Sequence, residues 1–326
     1  MTPLHHGGAL REAMRAHPHA PRPWLDLSTG VNPHPYPVGD LAPQAWTRLP
    51  EREEVENLED AAARAYGVAD AGRVVAAPGA QALIQRLPLL FPARRVAVLG
   101  PTYAEHEARW RASGAEAAVV GGPDGAAEAD VVVVVNPNNP DGRVTPIETL
   151  LRLADHARLL VVDESFMDFS PQASVIPHGG DRPIVVLRSF GKAYGLAGLR
   201  LGFAIAPPRL AEPIRDALGP WAVSGPAVAI GARALGDAGW LSTMGERLAA
   251  DAARLDTLLI RSGLAVMGGT PLFRLAARDD AQALHTRLCG HGILARAFET
   301  QPTRLRFGLP GAQADWDRLA RALAGG

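Results

Sequence analysis

The chain of 326 residues carries 33 Lys+Arg against 34 Asp+Glu, a net charge of -1 at a pI near 6.8, and it has no basic block. That balance argues against nucleic acid or an anionic membrane surface as the main partner, and a small polar substrate fits better. One cysteine, Cys289, excludes an intrachain disulfide and a metal site built from several cysteines; no apolar stretch reaches membrane-spanning length, so a reducing cytoplasm is the expected compartment.

The length exceeds that of a usual single core, so a large domain with a smaller companion is expected. The proline-rich opening, Pro18 to Pro43, reads as an extended arm. Beyond it, short β-branched runs alternate with alanine-rich helical stretches, the pattern of an α/β protein with a mostly parallel sheet between helices. Strands are expected at Arg73 to Ala77, Arg95 to Leu99, Ala117 to Val120, Asp130 to Val135, Leu159 to Asp163, Ile184 to Leu187 and Leu201 to Ala206, which makes a seven-stranded sheet. Helices are expected at Val55 to Tyr66, Ala80 to Leu90, Tyr103 to Ser113 and Ile147 to Ala157. After about Pro208 the strand rhythm weakens; helices from Pro226 to Leu235 and from Gly239 to Ser262 lead into a smaller α/β unit. The expected organisation is an N-terminal arm over 1–43, a large domain over 44–215 and a small C-terminal domain over 216–326.

In open parallel sheets ligands gather at the carboxyl ends of strands, so polar residues directly after the strand runs are the first candidates. Pro78-Gly79-Ala80-Gln81 follows a strand and opens a helix, where unpaired N–H groups and the helix dipole suit a phosphate, although a glycine turn there also serves as a plain turn. Asn136 to Gly142 forms a tight loop after the valine run. Asp163 closes the run Leu159 to Val162, where a lone carboxylate needs a cationic partner or caps a helix. Arg188-Ser189-Phe190-Gly191-Lys192 follows another strand, and Ser189 and Arg200 can reach one phosphate. Lys192 is the only lysine among the 33 basic residues. Arginine replaces lysine wherever charge alone matters, but a guanidinium cannot condense with an aldehyde, whereas a desolvated ε-amine can.

A phosphate cradle, a carboxylate and an amine, placed after strands in this order along the chain, resemble the pyridoxal 5'-phosphate (PLP) aminotransferases of fold type I, and within them the histidinol-phosphate aminotransferase group. The resemblance spans essentially the whole chain and rests on Asn139-Pro140-Asp141-Gly142, Asp163-Glu164-Ser165-Phe166 and Ser189-Phe190-Gly191-Lys192 followed by Arg200. It implies that Lys192 carries PLP as a Schiff base, that Asp163 pairs with the ring nitrogen and that Asn139 donates to the ring hydroxyl. Ser189, Arg200 and the backbone of Gly79, Ala80 and Gln81 would hold the phosphate. Tyr103, in Pro101-Thr102-Tyr103, matches the aromatic that stacks on the ring, and on the residues alone it equally fits a core position.

Within the group the chain is most similar to the threonine-phosphate decarboxylase branch of cobalamin biosynthesis. The likeness rests on His6-Gly7-Gly8, Leu27 to Pro33, the Asp163-Glu164-Ser165-Phe166 variant, and Arg296 upstream of Leu305-Arg306. It implies that Arg306 binds the substrate carboxylate, with His6, Asn32 and Arg296 around the carboxylate and phosphate ends. As plain residues, Arg296 and Arg306 also read as surface charges and His6 as part of a frayed terminus. Two departures stand out: Phe166 replaces a tyrosine of many relatives, and Leu49 replaces a tyrosine that reaches the partner subunit's PLP. A cytoplasmic homodimer that decarboxylates L-threonine O-3-phosphate is the resulting expectation, with transamination of histidinol phosphate by 2-oxoglutarate as the runner-up. A dinucleotide-dependent oxidoreductase is disfavoured because Pro78-Gly79-Ala80 lacks the Gly-x-Gly-x-x-Gly turn after the first strand. A catalytically silent partner of cobalamin assembly is the alternative from another class, and retention of Lys192 argues against it.

Overall fold

A run of five valines cannot alternate between core and solvent, so a strand built from it must be covered on both faces. In the computed structural model, which describes residues 7–325, all five side chains of Val131–Val135 are buried inside a seven-stranded sheet. The strands of the chain are β1 (Leu25–Leu27), β2 (Val74–Ala77), β3 (Arg95–Leu99), β4 (Glu116–Val120), β5 (Val131–Val135), β6 (Leu159–Asp163), β7 (Ile184–Ser189), β8 (Gly202–Ile205), β9 (Ala265–Thr270), β10 (Phe273–Ala277), β11 (Ile293–Ala297) and β12 (Arg304–Gly308). The larger sheet has the order β2-β8-β7-β6-β5-β3-β4. Its pairs are parallel except those of β8, which runs antiparallel to both β2 and β7. Each strand of this sheet falls on an expected run, within a residue or two at its ends.

Successive residues point to opposite faces of a strand, and the packing follows that alternation. Val132, Val134, Leu160 and Val162 pack with helices Arg52–Tyr66, Ile147–His156 and Gly225–Leu235 through Leu58, Leu150 and Ala227. Val131, Val133, Leu159 and Val161 pack on the other face with helices Ala80–Leu90, Glu105–Ala112 and Pro208–Leu218 through Leu83, Trp110 and Ile214. Each buried valine contributes about 1.5–3 kcal/mol, so two fully covered faces supply the main driving force for this part of the chain.

The second sheet has the order β1-β11-β12-β10-β9. β1 comes from the opening segment and pairs parallel with β11, Leu25 facing Ile293, while the other pairs are antiparallel. Within the expected extended arm, residues 25–27 therefore form an edge strand, and a helix at Leu10–Ala16 precedes it.

The chain divides into two compact units. Of the described residues, one holds those through Pro35, Pro140–Arg143 and those from Thr243; the other holds Tyr36–Asn139 and Val144–Ser242. These divisions differ from the expected 43/44 and 215/216. Helices Pro208–Leu218 and Gly225–Leu235 go with the larger sheet because Ala211, Ile214, Ala227 and Val228 are buried in its two cores. Among the described residues, no helix is long and apolar enough to cross a membrane.

Candidate active site

β2 to β7 run one way, so their carboxyl ends share one edge of the larger sheet. β8 runs the other way and presents its amino end there. Gly202 pairs with Ala77 on one side and with Ser189 on the other. This register brings together Gly79, two residues past β2, Ser189, the last residue of β7, and Arg200, two residues before β8.

Gly79 has φ +85° and ψ 155°, a region essentially reserved for glycine, and a Cβ there would lie 2.7 Å from a guanidinium nitrogen of Arg200. Helix Ala80–Leu90 begins at the next residue, and its first-turn N–H groups and positive dipole end point into the same cradle. Gly202 permits the approach from the other side, because a Cβ there would meet Ala80 N at 2.6 Å. Arg200 has φ 56° and ψ 56°, uncommon for a residue with a side chain, and its Nη1 donates to Ala197 O at 3.0 Å. A cation beside the amino end of a helix suits an anion, while the Gly79 N–H is itself engaged by Ala77 O at 2.7 Å.

Asp163, the last residue of β6, is buried and accepts from Ser165 N at 3.0 Å; its other oxygen is 2.9 Å from His106 Nε2. Burial pushes its carboxyl up, but the His106 contact and charge and the Ser165 hydrogen bonds outweigh burial and hold it below the usual carboxylate range. His106 was not singled out from the sequence. Its signal was the need of a carboxylate at a buried strand end for a partner, together with a place three residues after Tyr103, in the first turn of helix Glu105–Ala112. The Tyr103 and His106 rings meet edge to face at 6.1 Å. Asn139 follows β5 and is half-buried. Its loop is tied to the one after β3, where Thr102 Oγ1 donates to Asn138 Oδ1 at 2.6 Å and Asn138 Nδ2 donates to Pro101 O at 3.0 Å.

Lys192 sits in the short helix Phe190–Ala193, half-buried, with Nζ 4.9 Å from the centre of the Phe166 ring. Phe190 stacks on Tyr194 at 4.3 Å, and Tyr194 stacks on Trp240 at 5.5 Å, which anchors this helix in the core. Behind it, Arg188 is buried over the Tyr66 ring and pairs with Glu164 at 3.0 Å and Asp168 at 3.7 Å. Burial pushes both carboxyls up, and the single guanidinium pulls them back only in part. Sequence reasoning missed this network, since nothing in the residue order pairs 168 with 188. Leu49 is exposed.

In the other unit, Arg296 on β11 stands directly opposite Arg306 on β12, so the two side chains share one face of the smaller sheet. Arg306 is buried, donates from Nη2 to Ser28 O at 2.7 Å and lies over Phe273; Arg296 lies over Phe298. Asn32 is buried and accepts from His34 N at 2.8 Å. His6 lies outside the described residues.

A model of the aminotransferase class I and II family matches residues 22–323. A threonine-phosphate decarboxylase of Pseudomonas aeruginosa is 45% identical, over 99% of this chain and 98% of its own length. One from Sinorhizobium sp is 43% identical with the same coverage. Among solved structures, the histidinol-phosphate aminotransferase of Sinorhizobium meliloti in complex with pyridoxal-5'-phosphate superposes with a TM-score of 0.84 at 24% identity, covering 99% of this chain and 94% of that one. The L-threonine-O-3-phosphate decarboxylase of Porphyromonas gingivalis does so with a TM-score of 0.76 at 22% identity, covering 92% and 98%. These two show a shared fold. With a family match over nearly its whole length and two relatives of such identity, the chain belongs to the aminotransferase class I and II family.

Proposed function

We propose that the chain is a PLP-dependent carboxy-lyase that converts L-threonine O-3-phosphate to (R)-1-aminopropan-2-yl phosphate and CO2, acting in cobalamin biosynthesis as a cytoplasmic homodimer. The observation that carries the substrate class is the opposition of Arg296 and Arg306. Two guanidiniums on one face of the smaller sheet match the two anionic groups that this substrate brings, a carboxylate and a phosphate. The names of the two relatives above 40% identity support decarboxylation as the reaction.

The donor set fits PLP. A glycine-only cradle with Arg200 and Ser189 suits its phosphate, a buried carboxylate held charged suits its pyridinium, and Lys192 is the chain's one side-chain amine. When bound, PLP supplies an aldehyde for an amine and a ring that accepts electrons. The amides of Ala80 and Gln81, with Ser189 and Arg200, would bind the phosphate, and the bare Gly79 backbone, whose own N–H is held by Ala77 O, would leave room for it. Asp163 holds a proton on the ring nitrogen, Asn139 donates to the ring hydroxyl, and Tyr103 covers the ring face. Lys192 Nζ delivers a proton to Cα once CO2 has left. Arg306 takes the substrate carboxylate, and His6, Asn32 and Arg296 take the remaining anionic contacts.

A site built around two arginines discriminates against a substrate that leaves one of them unpaired. Steady-state assays of CO2 release should therefore give L-threonine a kcat/KM at least ~100-fold below that of its O-phosphate, which corresponds to about 2.7 kcal/mol or more. Comparable values for the two would overturn the proposed substrate class.

A further inference from the structure

The proposed chemistry uses the backbone of Gln81 but gives its side chain no task, nor the buried carboxylate that the side chain touches. Gln81 Nε2 donates to Glu105 Oε2 at 3.0 Å, and the Tyr103 hydroxyl donates to Gln81 Oε1 at 3.1 Å. Glu105 is buried in the first turn of helix Glu105–Ala112, and Arg109 Nε, one turn on, lies 3.3 Å from the same Oε2.

A primary amide offers donors on one side and an acceptor on the other, and its partners decide which way it faces. An ionised carboxylate only accepts. Glu105 therefore claims the amide NH2 and turns Gln81 Oε1 toward Tyr103, which commits the phenolic proton to Gln81 and sets the rotation of the ring. Gln81 also belongs to the first turn of helix Ala80–Leu90, whose amides form the anion cradle. One side chain thus ties the cradle to the aromatic.

Resting on the PLP reading, we propose that Glu105 is a positioning residue. Acting through the Gln81 amide, it fixes the plane of Tyr103, the surface against which the cofactor ring lies. Glu105→Gln keeps the shape but can donate or accept, so the Gln81 amide is free to turn and Tyr103 loses its fixed acceptor.

The test is a binding cycle on the full chain, with PLP as the probe. PLP-free wild type, Glu105→Gln, Tyr103→Phe and the double variant are titrated with PLP, and the circular dichroism of the bound cofactor's visible band is recorded. The relay predicts about 5- to 10-fold weaker PLP binding for each single variant, a reduced visible band, and no further loss in the double variant. Loss of a negative charge near a phosphate site should by itself tighten PLP binding, so the expected weakening has the opposite sign to a plain charge effect. Should Glu105→Gln not fold, Gln81→Met breaks the relay at its centre, leaves Glu105 with Arg109, and must give the same non-additivity with Tyr103→Phe. Unchanged or tighter binding, or additive losses, in variants of a wild type that binds PLP overturns the relay alone. A wild type that takes up no PLP overturns the cofactor reading and the relay with it.

Discussion

Lys192 shows how far a single residue can speak for a site. Its isolation among arginines was legible in the sequence, and the structure adds that it projects over Phe166 from a helix pinned by Phe190 and Tyr194. No other side-chain amine can replace it, so Lys192→Ala should melt within a few degrees of wild type while turnover falls ~1,000-fold or more. Borohydride reduction of the PLP-loaded wild type, followed by peptide mass spectrometry, should find the cofactor fixed to Lys192 alone. Label on another residue would contradict the assignment. Asp163 was legible too, as a carboxylate at a buried strand end, but its partner was not, because the 57 positions between it and His106 close only through the parallel sheet. The same holds for Arg188 with Glu164 and Asp168. Asp168 has a folded-state pKa above its ordinary value, so its contribution to stability is present below the usual carboxylate range and is lost as pH rises through the folded value. Asp168→Asn removes that loss. Urea unfolding should show the variant gaining on wild type as pH rises above the usual carboxylate range, and a difference that does not move with pH would count against the burial argument.

At the scale of elements, the turn joining β2 to helix Ala80–Leu90 carries the cradle, and its geometry follows from one glycine. Strand runs and their carboxyl ends were readable from β-branched stretches, because both faces of the sheet are buried and the runs need not alternate. The reversed direction of β8 was not readable, since Leu201 to Ala206 is as apolar as its parallel neighbours. Yet that reversal is what carries Arg200 to the edge where Gly79 and Ser189 lie. Gly79→Ala would place a Cβ 2.7 Å from Arg200 in a region closed to alanine. We expect a loss of about 1–3 kcal/mol in unfolding free energy and, because Arg200 must move, at least ~10-fold weaker binding of PLP with little change for unphosphorylated pyridoxal. An equal effect on both compounds would place the phosphate elsewhere.

For the whole molecule, the fold class and the seven-stranded sheet were legible because hydrophobic pattern and strand length agreed over some 130 residues, from 74 to 205. The partition of the chain was less so. Pro140–Arg143 joins the unit of the smaller sheet although it is flanked on both sides by the larger one, and β1 joins β11 across more than 260 positions. Local pattern carries no trace of either. Membership of the aminotransferase class I and II family leaves two outcomes for the same lysine, loss of CO2 from Cα or loss of a proton from it. Which bond breaks depends on how the carboxylate is held, and on the proposed reading Arg306, facing Arg296 across the strand pair, would hold it. The most direct measurement therefore supplies the purified, PLP-loaded enzyme with L-threonine O-3-phosphate, and separately with histidinol phosphate plus 2-oxoglutarate, and follows CO2 and glutamate together. The account predicts CO2 and (R)-1-aminopropan-2-yl phosphate in equal amounts from the first substrate and no glutamate from the second. Glutamate formed without CO2 would contradict it.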